Sequence, residues 1–139
     1  MWKFNNKYLG KEDIPEDALG FIYKITRKSD GKIYIGKKVL SFSRKKRLTK
    51  KEKLEPENRR KTFKRVTSVS DWESYWGSSK ELKEDIDLLG LDKFEREIIL
   101  FCKDKKSLTY QEVKHQFLFN VLEINSYNGN ILSRFFRIK

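Results

Sequence analysis

The sequence predicts an α/β fold: a small, mainly antiparallel sheet of three strands, flanked by helices. Three features predict it: a hairpin pattern over residues 20–36, a continuous apolar run within residues 94–102, and two helical patterns after residue 79. A chain of 139 residues is long enough to bury one hydrophobic core without disulfides. We therefore expect a single domain over residues 1–139, with residues 1–19 packed on it as an N-terminal extension.

The hairpin is indicated by a period of two along its first strand. Phe21, Tyr23 and Ile25 alternate with the residues between them, as the side chains of a strand do. Asp30-Gly31 readily takes positive φ and predicts a tight turn, after which residues 33–36 form the return strand.

A helix and the third strand are expected in the second half of the chain. Leu82, Ile86 and Leu89 are spaced for one face of a helix over residues 80–89, and Gly90 is a stop signal. The apolar run within residues 94–102 suits a buried strand.

Another helix is predicted over residues 107–122. Thr109 and Glu112 fit a capping box at its start. The face expected to be buried carries four apolar residues: Tyr110, Val113, Phe117 and Val121.

Positive charge is concentrated in one segment. The net charge is +12, and residues 37–65 hold fourteen Lys or Arg against three acids, so the rest of the chain is nearly neutral. We interpret residues 37–70 as a basic insertion that binds a polyanion, with nucleic acid preferred over an acidic membrane surface or an acidic protein. Its low apolar content argues against membrane binding.

The remaining composition excludes several classes of protein. The single cysteine, Cys102, ends an apolar run and is interpreted as a buried structural thiol, so the fold does not depend on disulfides. The sequence has neither a signal peptide pattern nor an apolar run of about 18 residues, the length of a membrane span. We expect a cytoplasmic protein, in a bacterial cell or a phage-infected host.

Several short motifs resemble those of the GIY-YIG nuclease family. Phe21-Ile22-Tyr23 and, ten residues later, Tyr34-Ile35-Gly36 resemble the two halves of its signature, with Phe21 where the family usually has glycine. Arginines follow, then residues 75–79 before a helix, and finally the Glu112 helix with Tyr127-Asn128 behind it. The resemblance covers roughly residues 20–130. It implies a GIY-YIG-like fold and an enzyme that hydrolyses phosphodiester bonds.

The resemblance also implies roles for the two tyrosines. Tyr23 would bind or deprotonate the attacking water, and Tyr34 would orient it or contact the phosphate. A phenol ordinarily titrates near pH 10, so a basic role needs cations nearby. Lys32, Lys37 and Arg44 are the candidates. The alternative is that both tyrosines are ordinary strand aromatics.

An arginine is expected on a helix after the second motif. In the family it lies about eight residues beyond the glycine, which here leads to Arg44, with Arg47 as the alternative. A guanidinium keeps its charge and can contact two phosphate oxygens at once. The basic residues expected to bind the DNA backbone are Lys32, Lys37, Lys38, Lys45, Lys46, Arg47, Arg59 and Arg60.

Glu112 is the predicted metal ligand. The resemblance implies one Mg²⁺ or Mn²⁺ per active site, and a single carboxylate with waters and substrate phosphate is an ordinary way to hold Mg²⁺. A capping role for Glu112 is the alternative. His115, on the same helix, is more often structural in such a position than catalytic.

An asparagine completes the set of catalytic residues. Asn128 best fits the end of the family pattern and would orient the water, a tyrosine or the glutamate. Asn120, Asn125 and Asn130 are the competing positions, and turn formation is the alternative role for all four.

These residues predict a metal-dependent DNA endonuclease in which water attacks the phosphodiester without a covalent intermediate. The alternative is a catalytically inactive nucleic-acid-binding or assembly protein that uses the basic insertion. The expected partner is double-stranded DNA. One site cuts one strand, so double-strand cleavage would need two subunits or two events.

Overall fold

The protein's structure, a computed structural model, describes residues 1–138, and at positions 44 and 45 the description covers the backbone. The chain forms two compact units. The first consists of Met1–Leu40 and the described residues from Asp71 onward, and the second of Ser41–Ser70.

The strands and helices are numbered here in chain order. The strands are β1 (Lys3–Phe4), β2 (Lys7–Tyr8), β3 (Gly20–Arg27), β4 (Ile33–Val39), β5 (Ser41–Arg47), β6 (Phe63–Val69), β7 (Phe94–Cys102), β8 (Asn130–Ile131) and β9 (Phe135–Phe136). The α-helices are α1 (Lys50–Lys53), α2 (Lys80–Leu89) and α3 (Lys105–Leu118).

The sheet of the first unit has five strands in the order β2-β1-β7-β3-β4. The expected hairpin (β3 and β4) and the expected buried strand (β7) form its antiparallel part, in which β3 lies between β7 and the edge strand β4. The prediction of only three strands was wrong, because β1 and β2 in the N-terminal segment extend the sheet, with β1 parallel to β7. Each of these two strands has two residues, too few to show a period of two in the sequence.

The N-terminal segment also contributes to the core. Trp2 is 2% exposed, packs edge-on against Phe21 and Tyr23, and donates its indole N–H to the Trp72 carbonyl oxygen at 2.7 Å. Cys102 is buried, as expected from its place in the apolar run. Within the described residues, no helix is long and apolar enough to cross a membrane.

Helix α2 has the predicted bounds. Helix α3 begins and ends earlier than the predicted residues 107–122, and it buries a different face. Asp104 caps α3 by accepting a hydrogen bond from the Ser107 N–H at 2.7 Å, so the expected capping box at Thr109 and Glu112 is wrong. Tyr110 and Phe117, expected to be buried, are 63% and 50% exposed. The buried residues of α3 are Leu108 and Gln116.

The second unit is built on an antiparallel pair, β5 and β6. The connection between them contains α1, where Thr49 and Glu52 form a capping box. Arg44 lies on β5 opposite Val66, in extended backbone. The expectation that Arg44 lies on a helix was therefore wrong: seven residues of β5 pair in register with β6 and fix the extended conformation.

Candidate active site

The hairpin brings the two motif tyrosines to one face of the sheet. Tyr23 pairs with Gly36, and Tyr34 lies two residues before Gly36 on β4, so the two phenols are diagonal neighbours. Their ring centroids are 6.1 Å apart. This agrees with the expectation that both tyrosines project to a shared site.

Gly36 is required by the close approach of the Tyr23 phenol. A Cβ placed on Gly36 would lie 2.5 Å from the Tyr23 hydroxyl oxygen and 2.7 Å from Cζ. The backbone of Gly36 has no positive φ, so space rather than conformation explains the glycine.

We expect Gly36→Ala to lower the free energy of unfolding by about 1–3 kcal/mol, because the buried Tyr23 ring must shift. Gly129→Ala is the matched control, since nothing lies within 4 Å of its added Cβ. Urea denaturation of the two variants measures the difference. Equal stability of the two variants would contradict the proposed steric conflict between a Cβ on Gly36 and the Tyr23 ring.

The two phenols differ in their access to solvent. Tyr23 is 1% exposed, and its burial, with Tyr34 and Tyr75 beside it, raises its pKa far above the ordinary value. Burial also raises the pKa of Tyr34, and the hydrogen bond with Ser78 partly offsets this rise. The oxygens of Tyr34 and Ser78 are 2.9 Å apart. Both phenols are therefore protonated at neutral pH.

A pocket of about 310 Å³ lies beside Tyr34. Tyr34, Glu112 and Asn128 all line it, although they come from β4, α3 and the segment after α3. The pocket is polar, and Ser78, Ser79 and Gln116 also face it. Three of the five predicted catalytic residues thus share one pocket, with Tyr23 packed behind Tyr34.

Glu112 lies in the middle of α3, and its carboxylate does not cap the helix. Burial raises the pKa of Glu112, while the positive charge of Lys37 and a hydrogen bond from the Lys37 N–H act in the opposite direction. Glu112 in turn acts electrostatically on both Tyr23 and Tyr34. A partly desolvated carboxylate facing a polar pocket is a suitable group to bind a cation.

Asn128 holds the second motif in place through its side chain. It is 4% exposed, its Oδ1 accepts from the Ile35 N–H at 3.0 Å, and its Nδ2 donates to the Ile35 carbonyl at 2.9 Å. Gln116 Nε2 donates to the same carbonyl at 3.2 Å. Since β4 is an edge strand, these amides replace a neighbouring strand and fix the backbone between Tyr34 and Gly36.

With this geometry in place, the comparisons with known proteins identify the family. A family model described as "Putative endonuclease segE, GIY-YIG domain" matches residues 2–133. The chain belongs to the SegE GIY-YIG endonuclease family. No curated protein and no solved structure matches it. The family match covers both motif tyrosines, Glu112 and Asn128, and it implies nuclease action on DNA.

Arg44, the predicted catalytic arginine, is located only by its backbone. Arg44 lies on β5, in the second unit, and its side chain and that of Lys45 are outside the described residues. The alternative, Arg47, ends the same strand and is exposed.

The predicted DNA-binding residues have different surroundings. Lys46, Arg47, Arg59 and Arg60 are exposed in the second unit. In the first unit, Lys32 pairs with Glu81 at 2.6 Å, and Lys38 pairs with Asp71 at 2.5 Å. Lys37 is exposed and donates to Thr109 Oγ1 at 3.0 Å. Lys37 is thus the predicted lysine whose charge acts directly on Glu112.

Two residues of the site were missed by the sequence analysis. Tyr75 lies edge-on to Tyr23, with ring centroids 5.9 Å apart, and contributes to the raised pKa of Tyr23. Ser78 hydrogen-bonds with Tyr34. Both belong to residues 75–79, which the sequence analysis counted among the resembling motifs without assigning a role to either residue; the signal was a tyrosine and two serines directly before a helix.

The competing candidates have structural surroundings. The His115 ring Nδ1 lies 2.7 Å from the Gln111 carbonyl oxygen, one turn earlier on α3. Asn120 has a positive φ of 57° just after α3, and Asn125 is exposed. Asn130 lines the pocket, but its Oδ1 accepts from the Ser133 N–H at 2.9 Å.

Proposed function

We propose that the protein is a metal-dependent DNA endonuclease that hydrolyses phosphodiester bonds by direct attack of water, without a covalent intermediate. The observation that supports this most is the shared pocket of Tyr34, Glu112 and Asn128. A protein that only bound DNA would need a positive surface. It would not need the partly buried Glu112 carboxylate in one pocket with the Tyr34 phenol and with Asn128, which binds the backbone of β4.

The residues of the pocket fit a hard divalent cation such as Mg²⁺ or Mn²⁺. Glu112 would hold one ion per site, with water and substrate phosphate as further oxygen ligands. Within the described part of the chain, no group of three or more His, Cys, Asp or Glu side chains is suited to a metal, so the proposed ion would rely on Glu112 together with water and phosphate oxygens. The raised pKa of Glu112 supports the fit, because a cation offsets the cost of its buried charge. When bound, the ion supplies Lewis-acid chemistry against the phosphate oxygens.

Tyr34 is the phenol proposed to orient the attacking water. It lines the pocket, its oxygen is held by Ser78, and a protonated phenol accepts a hydrogen bond from water. Tyr23 is buried behind it, and its raised pKa keeps the phenol protonated at neutral pH, so no phenolate is available to accept a proton from water. We therefore assign Tyr23 the role of positioning Tyr34, rather than the direct contact with water that the sequence suggested.

Positive charge for the phosphate is proposed to come from two residues. Lys37 contributes charge beside Glu112. Arg44 remains the proposed guanidinium that contacts the phosphate, and the other predicted basic residues would follow the DNA backbone. Two subunits, or two successive events, would be needed to cut both strands.

Incubation with supercoiled plasmid tests this proposal. We expect nicked and linear products with Mg²⁺ or Mn²⁺, and retained DNA binding without cleavage when a chelator is present. Arg44→Lys and Arg47→Lys, compared side by side, decide which arginine the reaction needs. Binding without cleavage in both metals would instead favour an inactive nucleic-acid-binding protein.

A further inference from the structure

An apolar groove runs along the outer face of α3. It has a volume of about 580 Å³ and six lining residues: Lys105, Lys106, Thr109, Tyr110, Val113 and Leu132. Tyr110 is 63% exposed and Leu132 is 53% exposed. We call this surface the α3 groove. Large apolar side chains at such exposure, gathered around one depression, indicate a binding surface.

The α3 groove continues directly from the candidate active site. Leu132 lines both the groove and the catalytic pocket. Thr109 lines the groove and accepts the hydrogen bond of Lys37, whose charge acts on Glu112. A polymer with one unit in the pocket would therefore have its neighbouring units at the groove.

Leu132 is held at the mouth of the groove by an unfavourable backbone conformation. Leu132 and Ser133 have φ of 56° and 53°, in the turn between β8 and β9. Left-handed backbone in such residues costs on the order of 1 kcal/mol each. The Asn130 side chain, which accepts from the Ser133 N–H, supports the turn. The result is an apolar side chain presented to solvent beside the pocket.

The chemistry of the lining fits one occupant better than others. Lys105 and Lys106 are exposed at the groove, so it combines an aromatic ring and an aliphatic side chain with two ammonium groups. In DNA-binding proteins, apolar side chains contact sugars and base edges while lysines contact the phosphates. A two-fold interface between copies of this chain would bring the lysines of both copies together, and that repulsion disfavours it.

We propose that the α3 groove binds the DNA strand next to the phosphate in the catalytic pocket. Tyr110 and Leu132 contact a base or sugar, and Lys105 and Lys106 contact the phosphates that follow. This inference rests on the proposed action on DNA and adds a substrate-binding surface outside the basic insertion.

Binding to a fluorescent DNA duplex in the presence of chelator tests the groove without requiring cleavage. Tyr110→Ala and Leu132→Ala are each expected to weaken binding by about 5- to 50-fold, whereas Tyr110→Phe keeps the ring and binds like the wild type. The double variant K105Q/K106Q should reduce the slope of log affinity against log salt by up to about 2, while Tyr110→Ala leaves the slope unchanged.

Leu118→Ala and Lys114→Gln are the matched controls, because both residues are exposed on α3 and neither lines the groove. Both should bind DNA like the wild type. A thermal melt of each variant confirms that the fold is intact.

The inference and the proposed function fail in different ways. Groove variants that bind like the wild type, in a protein that cleaves plasmid, overturn the inference and leave the nuclease. Groove variants that weaken binding, in a wild type that never cleaves, support the inference and remove the nuclease. A dimer in sedimentation that Leu132→Ala converts to monomer, with unchanged DNA affinity, would make the groove a self-interface and overturn the inference.

Discussion

Glu112→Gln is expected to lower the rate of DNA cleavage by at least about 1,000-fold while leaving DNA binding intact. A metal ion contributes several kcal/mol of transition-state stabilisation, and each 1.36 kcal/mol changes the rate about tenfold. Glutamine keeps the shape of the side chain, but it lacks the charge that would hold the ion. Plasmid cleavage and gel-shift binding, measured on the same samples, separate the two effects.

The same substitution should not destabilise the metal-free protein at neutral pH. Burial raises the pKa of Glu112, so its ionised form opposes folding, and the stability associated with its protonated form is lost as pH rises through that raised pKa. A neutral amide removes this cost. We therefore expect a midpoint of urea unfolding equal to or above that of the wild type, with chelator present.

Protonation of Glu112 also predicts how cleavage depends on pH. A reaction that needs the Glu112 carboxylate for its metal ion loses rate as pH falls, because protons compete with the ion for the carboxylate and burial favours its protonated form. Glu123→Gln, on an exposed glutamate, is the control and should retain wild-type cleavage. Full activity of Glu112→Gln would remove Glu112 from the site.

Asn128→Ala is expected to lower the free energy of unfolding by about 2–4 kcal/mol and to reduce cleavage. Its amide makes two hydrogen bonds to Ile35, and alanine leaves the buried Ile35 N–H without a partner. An orphaned buried donor costs about 1–3 kcal/mol, and a lost hydrogen bond about 1 kcal/mol more. Cleavage falls because the backbone on either side of Ile35 carries Tyr34 and Gly36.

Two further variants give this prediction its specificity. Asn125→Ala removes an exposed asparagine and should change stability by less than about 0.5 kcal/mol. Asn128→Asp keeps an acceptor for the Ile35 N–H but loses the donor, so its stability should recover when acid protonates the new carboxyl. Urea unfolding at two pH values measures both effects. An Asn128→Ala protein as stable as the Asn125→Ala protein would contradict the proposal that the Asn128 hydrogen bonds to Ile35 stabilise the fold.

The sequence was sufficient for the elements whose patterns are local. The alternation along β3, the Asp30-Gly31 turn and the apolar spacing of α2 before Gly90 each predicted an element that the structure contains. The resemblance also brought together Tyr34, Glu112 and Asn128, which line one pocket. The strand, turn and helix patterns are each complete within a few residues, so they do not depend on the rest of the fold.

Tertiary structure decided everything that depends on which surfaces meet. The pairing of β1 with β7 links residues more than ninety positions apart, and no local alternation of apolar residues predicts it. Helix α3 carries apolar residues around much of its circumference, so packing rather than spacing buries Leu108 and exposes Tyr110. The chain alone could name Tyr23 and Tyr34 as a pair. Only the fold buries Tyr23 and leaves Tyr34 at the pocket, because burial is set by neighbours from distant parts of the chain, including Trp2 and Tyr75.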